Sequence, residues 1–154
     1  EWGWLDSWGK KQKYELNQMA FGLNTQLASK WNVSAEYVRN NIDTTGRANK
    51  DGFWTRVTYG KQDWHKANTW KVYGEYVALG NYAIDSTGWG HHMNFAGGNG
   101  LGSDNGGARG WGLGASYMLA PNTNVETCWY FLKPYDTSFG KYETQGLASF
   151  TFSF

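Results

Sequence analysis

The feature that most constrains this chain is an alternation of side-chain character with a period of two residues. Small or polar residues in segment 17–28 alternate with Met19, Phe21, Leu23 and Leu27, and six later segments continue the pattern. These segments begin at Trp31, Phe53, Trp70, Gly110, Val125 and Gln145. Successive side chains of a β-strand point to opposite faces, so the pattern indicates strands with one apolar and one polar face. We therefore predict an all-β chain of seven antiparallel strands.

The connections between these segments alternate between short and long. Short connections are found at Ser29-Lys30, around 63–68 and at 121–124, and they take turns with longer, polar ones at 42–52, 85–107 and 136–141. In an antiparallel up-and-down sheet, all short connections then lie at one end and all long ones at the other. Short periplasmic turns and long external loops are typical of a transmembrane β-barrel of the bacterial outer membrane.

The residue types on the apolar face favour contact with lipid. A dry core between two sheets prefers Val, Ile and Leu, whereas this face carries Trp, Tyr and Phe near the strand ends and small residues between them. We expect interface aromatics at the periplasmic side (Trp31, Trp64 and Trp70) and at the outer side (Phe53 and Trp111). A soluble Trp-rich sugar-binding sandwich stays open as an alternative if the apolar faces pack against each other.

Composition and charge exclude several other classes. No stretch of three turns has the apolar spacing of an amphipathic helix, and no apolar run approaches the roughly 18 residues of a membrane-spanning helix. The net charge of +1 offers no basic face for nucleic acid, and a single cysteine cannot build a disulfide framework. Nucleic-acid binding, helical membrane spans and a disulfide-stapled domain are therefore not expected.

An enzyme site is not expected either. The densest cluster of catalytic residue types consists of Asp85, Ser86, His91 and His92, and it lies in a glycine-rich connection without a recognisable motif. Acyl chemistry needs a nucleophile, a base and an orienting group in one place. Two adjacent His residues in an extended segment point in opposite directions and make a poor metal pair. We predict no catalytic activity, no cofactor and no metal.

The polar face of the strands contains the candidate pore-lining residues. They are Glu36, Asn40, Arg56, Lys71, Glu75 and Glu126. In a barrel of about sixteen strands these side chains would face water, and the glycines at 110, 112 and 114 would leave space in the lumen. In a barrel of eight strands they would pair and fill the interior. For any one of these residues, a paired role that holds the strand register stays open beside a role in the pore wall.

Alternate aromatic residues end the chain, at Phe150, Phe152 and Phe154. This amphipathic last strand resembles the C-terminal assembly signal of bacterial outer-membrane proteins. The resemblance implies a bacterial outer-membrane location and recognition by the barrel-assembly machinery.

A second resemblance covers roughly the second half of the chain. Residues 75–92, the glycine-rich stretch after them and residues 131–135 are similar to the C-terminal barrel region of the S-layer homology type of porin from diderm Firmicutes. The resemblance implies a transmembrane barrel. The S-layer homology module that holds the cell wall has no match here, so tethering is not implied.

We predict that residues 1–154 form one transmembrane barrel domain, the last seven or eight strands of a larger barrel of about sixteen. The short alternating segment 1–5 is the candidate for an eighth strand. The expected function is passive diffusion of small hydrophilic solutes and ions, in contact with outer-membrane lipid, and a homotrimer is one compatible assembly. The alternative is a small eight-stranded structural or adhesive barrel of the OmpA or OmpX kind, without an open pore.

Overall fold

The structure is a computed structural model that describes residues 3–5, 11–13, 17–41, 49–80, 83, 107–135, 140–141 and 144–153. Every regular element in these ranges is a strand. The strands are β1 (Gly3–Leu5), β2 (Lys11–Lys13), β3 (Gln18–Ala28), β4 (Trp31–Asn40), β5 (Asp51–Lys61), β6 (Trp70–Leu79), β7 (Ala108–Ala120), β8 (Thr123–Lys133) and β9 (Gln145–Phe152). Across the same ranges, no helix has the length and hydropathy that crossing a membrane requires. The all-β prediction is confirmed.

The strands β3 to β9 form one antiparallel sheet of seven strands in chain order. Each strand pairs with the next one along the chain, and the two edges of the sheet are β3 and β9. The predicted seven up-and-down strands are therefore confirmed. Of the segment considered as an eighth strand, residues 3–5 lie in a separate two-stranded sheet, where β1 pairs with β2, and residues 1–2 fall outside the described ranges.

The connections have the alternation that the sequence predicts. Strands β3 and β4 are joined through 29–30 and β7 and β8 through 121–122, whereas β4 and β5 are joined through 41–50 and β6 and β7 through 80–107. Because each strand runs antiparallel to its neighbours, the sheet has a short-turn end and a long-connection end.

Hydrogen bonds tie the short connections to one another. In the turn between β5 and β6, the carboxylate of Asp63 accepts a hydrogen bond from the backbone N–H of His65 at 3.0 Å, which lowers the pKa of this exposed carboxyl. The backbone N–H of Asn122, between β7 and β8, donates to the Trp64 carbonyl at 2.7 Å. Asn122 has a φ of 59°, a left-handed conformation that Asn tolerates better than most residues. At the short-turn end, the turn between β5 and β6 is thus hydrogen-bonded to the turn between β7 and β8.

Alternate residues along the sheet form two faces of different character. The apolar face carries large side chains exposed to the surroundings. Its members include Met19, Phe21, Leu23, Trp31, Tyr37, Phe53, Val57, Trp70, Val72, Trp111, Leu113, Tyr117, Trp129, Phe131, Phe150 and Phe152. The opposite face, called the buried face below, carries Tyr73, Glu75, Val77, Ser116, Met118, Asn124, Cys128 and Tyr130, each at most 5% exposed. The most buried side chains of the sheet therefore include charged and polar ones.

The buried face is packed by side chains that lie flat across glycines. The ring of Tyr73, on β6, occupies the space where Gly114 of β7 would have a Cβ. At Gly112, a Cβ would lie 2.7 Å from Cε1 of Tyr130 and 2.9 Å from Cγ of Glu75. The space above these two glycines is filled, so the expectation that they leave open lumen space is wrong. The physical reason is that a missing side chain on β7 lets its neighbours on β6 and β8 lie down over it.

Replacing Gly114 by Ala tests this packing. The new Cβ would displace the Tyr73 ring, so we expect the free energy of unfolding to fall by about 1–3 kcal/mol, the usual cost of overpacking. Reversible urea unfolding of the refolded chain in detergent micelles measures this change.

Gly74→Ala is the matched control, because Gly74 lies in the middle of β6 on the apolar face. Its new Cβ would be 3.7 Å from Cδ2 of Leu113, an ordinary contact. We expect this variant to be neutral or more stable by up to about 1 kcal/mol, since Gly weakens strand interiors. Equal effects of the two substitutions would contradict the flat packing over Gly114.

Candidate functional site

The strand register places the predicted charged residues of the pore wall on one face of the sheet. Arg56 is directly opposite Glu75, and both Lys71 and Glu126 are opposite Ser116 on β7. Glu36 lies further toward the long connections, opposite Trp54, which is on the same face as Arg56. Their exposure differs: Glu36 is exposed, Arg56, Lys71 and Glu126 are half-buried, and Glu75 is 4% exposed.

The centre of the buried face is an ion pair between β5 and β6. The guanidinium of Arg56 donates from Nε and Nη2 to Oε2 of Glu75, at 2.9 and 2.6 Å. The indole Nε1 of Trp54 donates to the same oxygen at 3.0 Å. The Arg56 Cζ also lies 4.2 Å from the centre of the Tyr73 ring, a cation–π contact. Three N–H donors from two side chains thus meet at one carboxylate oxygen, and the opposite charges of Arg56 and Glu75 compensate each other.

A second contact joins two strands that are not neighbours. The hydroxyl of Tyr73, on β6, donates to Oε1 of Glu126, on β8, at 3.1 Å, and it passes above Gly114 of the intervening strand. Tyr130 lies over Gly112 in the same way and is 4% exposed. Within the described part of the chain, the hydroxyl of Tyr130 has no hydrogen-bond partner. Tyr73 thus bridges β6 and β8 across β7, and Tyr130 of β8 covers β7 next to it.

A third cluster occupies the short-turn end of the buried face. The amide Nε2 of Gln62 donates to Oδ1 of Asn124 at 2.7 Å. The Ser116 hydroxyl lies 2.7 Å from the same Asn124 oxygen and 3.0 Å from Oε1 of Gln62, and its single proton serves one of them at a time. These contacts connect β7 and β8 to the turn after β5. Sequence reasoning did not find this cluster, although the alternation puts Ser116 on the polar face.

The long-connection end of the buried face is apolar. Val38, Val77, Leu79, Ala108 and Leu132 belong there to one cluster of buried side chains contributed by β4, β6, β7 and β8. The buried face therefore has its ion pair and polar clusters in the middle and toward the short turns, and an apolar cluster beside Asn40 toward the long connections.

Asn40, the remaining predicted pore-lining residue, lies at the long-connection end of β4. It is 1% exposed, and its Oδ1 accepts a hydrogen bond from the backbone N–H of Asn17 at 3.0 Å. This hydrogen bond connects the residue that precedes β3 to the last residue of β4.

The predicted interface aromatics lie at the two ends of the apolar face. Trp31 and Trp70 are at the short-turn end, where the Tyr59 ring lies between them at centroid distances of 4.8 and 5.9 Å. Trp64 is exposed in the adjoining turn. The other end carries Phe53 and Trp111, and the ring of Trp111 is 4.9 Å from that of Tyr76.

The spacing of the aromatic residues is the same on several strands. Trp31 and Tyr37, Trp70 and Tyr76, and Trp111 and Tyr117 are each six residues apart, which is about 20 Å along a strand. Val, Ala, Gly and Leu occupy the apolar-face positions between them on these strands. On these three strands, two aromatic rows therefore enclose smaller apolar residues, whereas on β8 Trp129 lies between the rows, opposite Leu113.

Two of the three residues of the predicted assembly signal lie on β9. Phe150 and Phe152 are 59% and 52% exposed, and their ring centroids are 6.0 Å apart. Phe154 falls outside the described residues, as do Asp85, Ser86, His91 and His92.

Among the residues that the structure describes, no group of three or more His, Cys, Asp or Glu side chains is placed to hold a metal ion. The chain matches no protein-family model. A comparison with curated proteins found no match either.

Substitution of Arg56 tests the ion pair. Arg56→Met leaves the buried carboxylate of Glu75 without its charged partner, and the Trp54 indole is then its remaining donor among the described residues. We therefore expect the free energy of unfolding to fall by about 3–5 kcal/mol. Replacing both partners, in Arg56→Met with Glu75→Leu, should recover part of this loss because no charge is left unpaired. Urea unfolding of the wild type, both single variants and the double variant gives the coupling energy.

Arg39→Met is the matched control for this cycle. Arg39 also pairs with a carboxylate on the neighbouring strand, Asp51, at 3.3 Å, but both side chains are about half exposed. Exposed pairs contribute at most about 1 kcal/mol, so this variant should change stability little. A loss at Arg39 as large as that at Arg56 would contradict the special role of the buried pair.

Proposed function

We propose that this chain forms part of the wall of a bacterial outer-membrane β-barrel through which small hydrophilic solutes and ions diffuse passively. The proposal rests on a distribution of side chains that is the reverse of that in a soluble protein. Large apolar residues are exposed on one face, whereas the ion pair of Arg56 and Glu75 is buried on the other. Soluble monomers rarely expose contiguous apolar areas above a few hundred Å², while a barrel wall in lipid needs one.

Strand length and the aromatic rows support the same proposal. The strands β3 to β8 have 10 to 13 residues, enough for the 9–11 residues of a tilted membrane-spanning strand. Trp and Tyr prefer the two membrane–water interfaces, where one end of the ring is apolar and the other is wet. The rows at Trp31 and Trp70 and at Phe53 and Trp111 would then mark the two interfaces.

The soluble sandwich is less well supported. In a sandwich, the apolar face must be covered by a second sheet at about 10 Å. The strands β3 to β9 belong to a single sheet, and its apolar face is the exposed one.

The charges of the buried face support a modest preference for cations. Arg56 and Glu75 compensate each other, so the field in the pore would come from Glu36 and Glu126 against Lys71. Two acidic groups against one basic group leave a negative balance in the proposed pore wall.

A small barrel without an open pore is the second candidate, and burial favours it. Tyr73, Glu75 and Tyr130 are nearly inaccessible, as in a barrel of about eight strands whose interior is filled by side chains. The bridges that bury them nevertheless run along the sheet, between β5 and β6 or across one strand. Side chains that lie flat against a wall leave the space beyond them to water, which is why we favour the open barrel.

The proposed partners follow from the membrane assignment. Outer-membrane lipid would cover the apolar face, and the barrel-assembly machinery would recognise the aromatic last strand with Phe150, Phe152 and Phe154. A homotrimer is the assembly we propose for the pore.

Recording from planar bilayers tests the proposed function and its charge preference. The intact protein that contains this chain should give stepwise single-channel conductance with a reversal potential that indicates cation preference. In the double variant Glu36→Gln with Glu126→Gln, the reversal potential should shift toward anions, because the negative balance is removed.

The control for this measurement removes charge without changing the balance. Arg56→Gln with Glu75→Gln eliminates one positive and one negative group and should leave the reversal potential in place. Absence of conductance steps would favour the small barrel without an open pore. An unchanged reversal potential in the Glu36 and Glu126 variant would remove these residues from the pore wall.

A further inference from the structure

The apolar face contains a groove that the proposed channel function does not explain. It has a volume of about 240 Å³ and lies on the strands β6, β7 and β8 toward the short-turn end. Its lining residues include Trp70, Val72, Ala115, Tyr117, Val125 and Thr127.

The strand register explains why a groove forms at this place. Trp70, Tyr117 and Val125 are opposite one another in a row across the three strands, and two of the three carry bulky rings. The next row of the same face consists of the smaller Val72, Ala115 and Thr127. Ala115 lies at the centre of this row and beside the Tyr117 ring, and its small side chain leaves the groove, which is called the furrow below.

A lysine, Lys61, lies at the β5 end of the row formed by Trp70, Tyr117 and Val125. Lys61, the last residue of β5, is directly opposite Trp70, so its side chain is on the apolar face, and it is exposed. Among the described residues, Lys61 has no ion-pair partner. Tyr117 at the rim of the furrow donates its hydroxyl proton to Oδ1 of Asn68 at 2.6 Å, in the turn next to β6. The furrow therefore has an apolar floor, and on the side of the turns Lys61 lies next to Trp70, one of its lining residues.

We propose that this furrow binds one acyl chain of an anionic glycerophospholipid whose phosphate contacts Lys61. The inference rests on the proposed membrane location of the sheet, and it adds a defined lipid site to it. Lys61 would supply the charge that a phosphate requires, Trp70 and Tyr117 would lie at the level of the glycerol backbone, and Ala115 would lie under the chain.

The dimensions and chemistry of the furrow fit a lipid chain better than other occupants. Pockets for drug-sized molecules usually have about 300–1,000 Å³ and several polar groups aimed inward. This furrow is smaller, and the surface exposed inside it is almost entirely apolar. A flexible hydrocarbon chain needs no hydrogen bond from its site, whereas an extended peptide would leave its backbone groups unpaired there.

Native mass spectrometry of the full chain in detergent micelles tests the site, with dioleoyl phosphatidylglycerol as the anionic probe and dioleoyl phosphatidylcholine as the zwitterionic one. Ala115→Leu fills the floor of the furrow and should weaken retention of both lipids about tenfold, since it displaces roughly two methylene contacts. Lys61→Gln should weaken retention of phosphatidylglycerol about fivefold, the effect of one Lys near an anionic headgroup. Retention of phosphatidylcholine should fall less, because its choline ammonium offsets the charge of its phosphate.

Two matched controls lie on the same face outside the furrow. Ala35→Leu makes the same enlargement on β4, and Lys133→Gln removes a lysine at the long-connection end of β8. Both variants should retain the two lipids as the wild type does. Equal retention in all variants, or equal losses in the controls and in the furrow variants, would overturn the proposal.

The outcome is separable from that of the proposed transport function. Lys61 and Ala115 are not on the buried face, so their variants should keep the wild-type conductance in planar bilayers. Conductance without a lipid effect would overturn the lipid site and leave the channel standing. The predicted loss of lipid without any conductance in the wild type would support the site and count against the channel.

Discussion

The pairing register of the antiparallel sheet is the constraint on which the rest of this structure depends. Because side chains alternate between faces, a slip of one residue in any strand would move its apolar set to the opposite face. The register that is present brings Arg56 opposite Glu75 and Lys71 opposite Ser116. It also aligns Trp70 with Tyr117 on the other side of the same strands. One choice of pairing thus creates the charged face and the aromatic row together.

Glycines on the buried face turn this alternation into a thin, continuous layer. Gly112 and Gly114 let Glu75, Tyr73 and Tyr130 lie across β7, so that groups on β6 and β8 meet above it. Bonds that bridge one strand resist slippage, since a shifted strand would put a side chain where a ring now lies. The same flat arrangement keeps bulky polar residues close to the wall, and this is the physical link between the packing of the sheet and the proposed passage for solutes.

The period-two pattern was sufficient to predict the seven strands, the turn at Ser29-Lys30 and the ends at which Trp31 and Trp111 lie. Such features are local, because each depends only on the order of residues within one strand or turn. The contacts of the site are not local. Two such contacts are the shared Glu75 oxygen, which accepts from Trp54 and Arg56, and the hydrogen bond from Gln62 to Asn124. Both depend on the register and on rotamers that neighbouring strands set. The sequence did not predict that side chains fill the space above Gly112 and Gly114, because that packing also depends on neighbouring strands.

The central claim is that the exposed apolar face contacts lipid and the opposite face borders water. Spin labels placed singly along β8 at residues 125–131, in a Cys128→Ala background and after refolding into phospholipid vesicles, test it most directly. At Val125, Thr127 and Trp129, collisions with dissolved oxygen should exceed those with a water-soluble nickel chelate, and at Glu126 the order should reverse. Equal accessibility on both faces, or protection of the apolar positions from both reagents, would contradict the account.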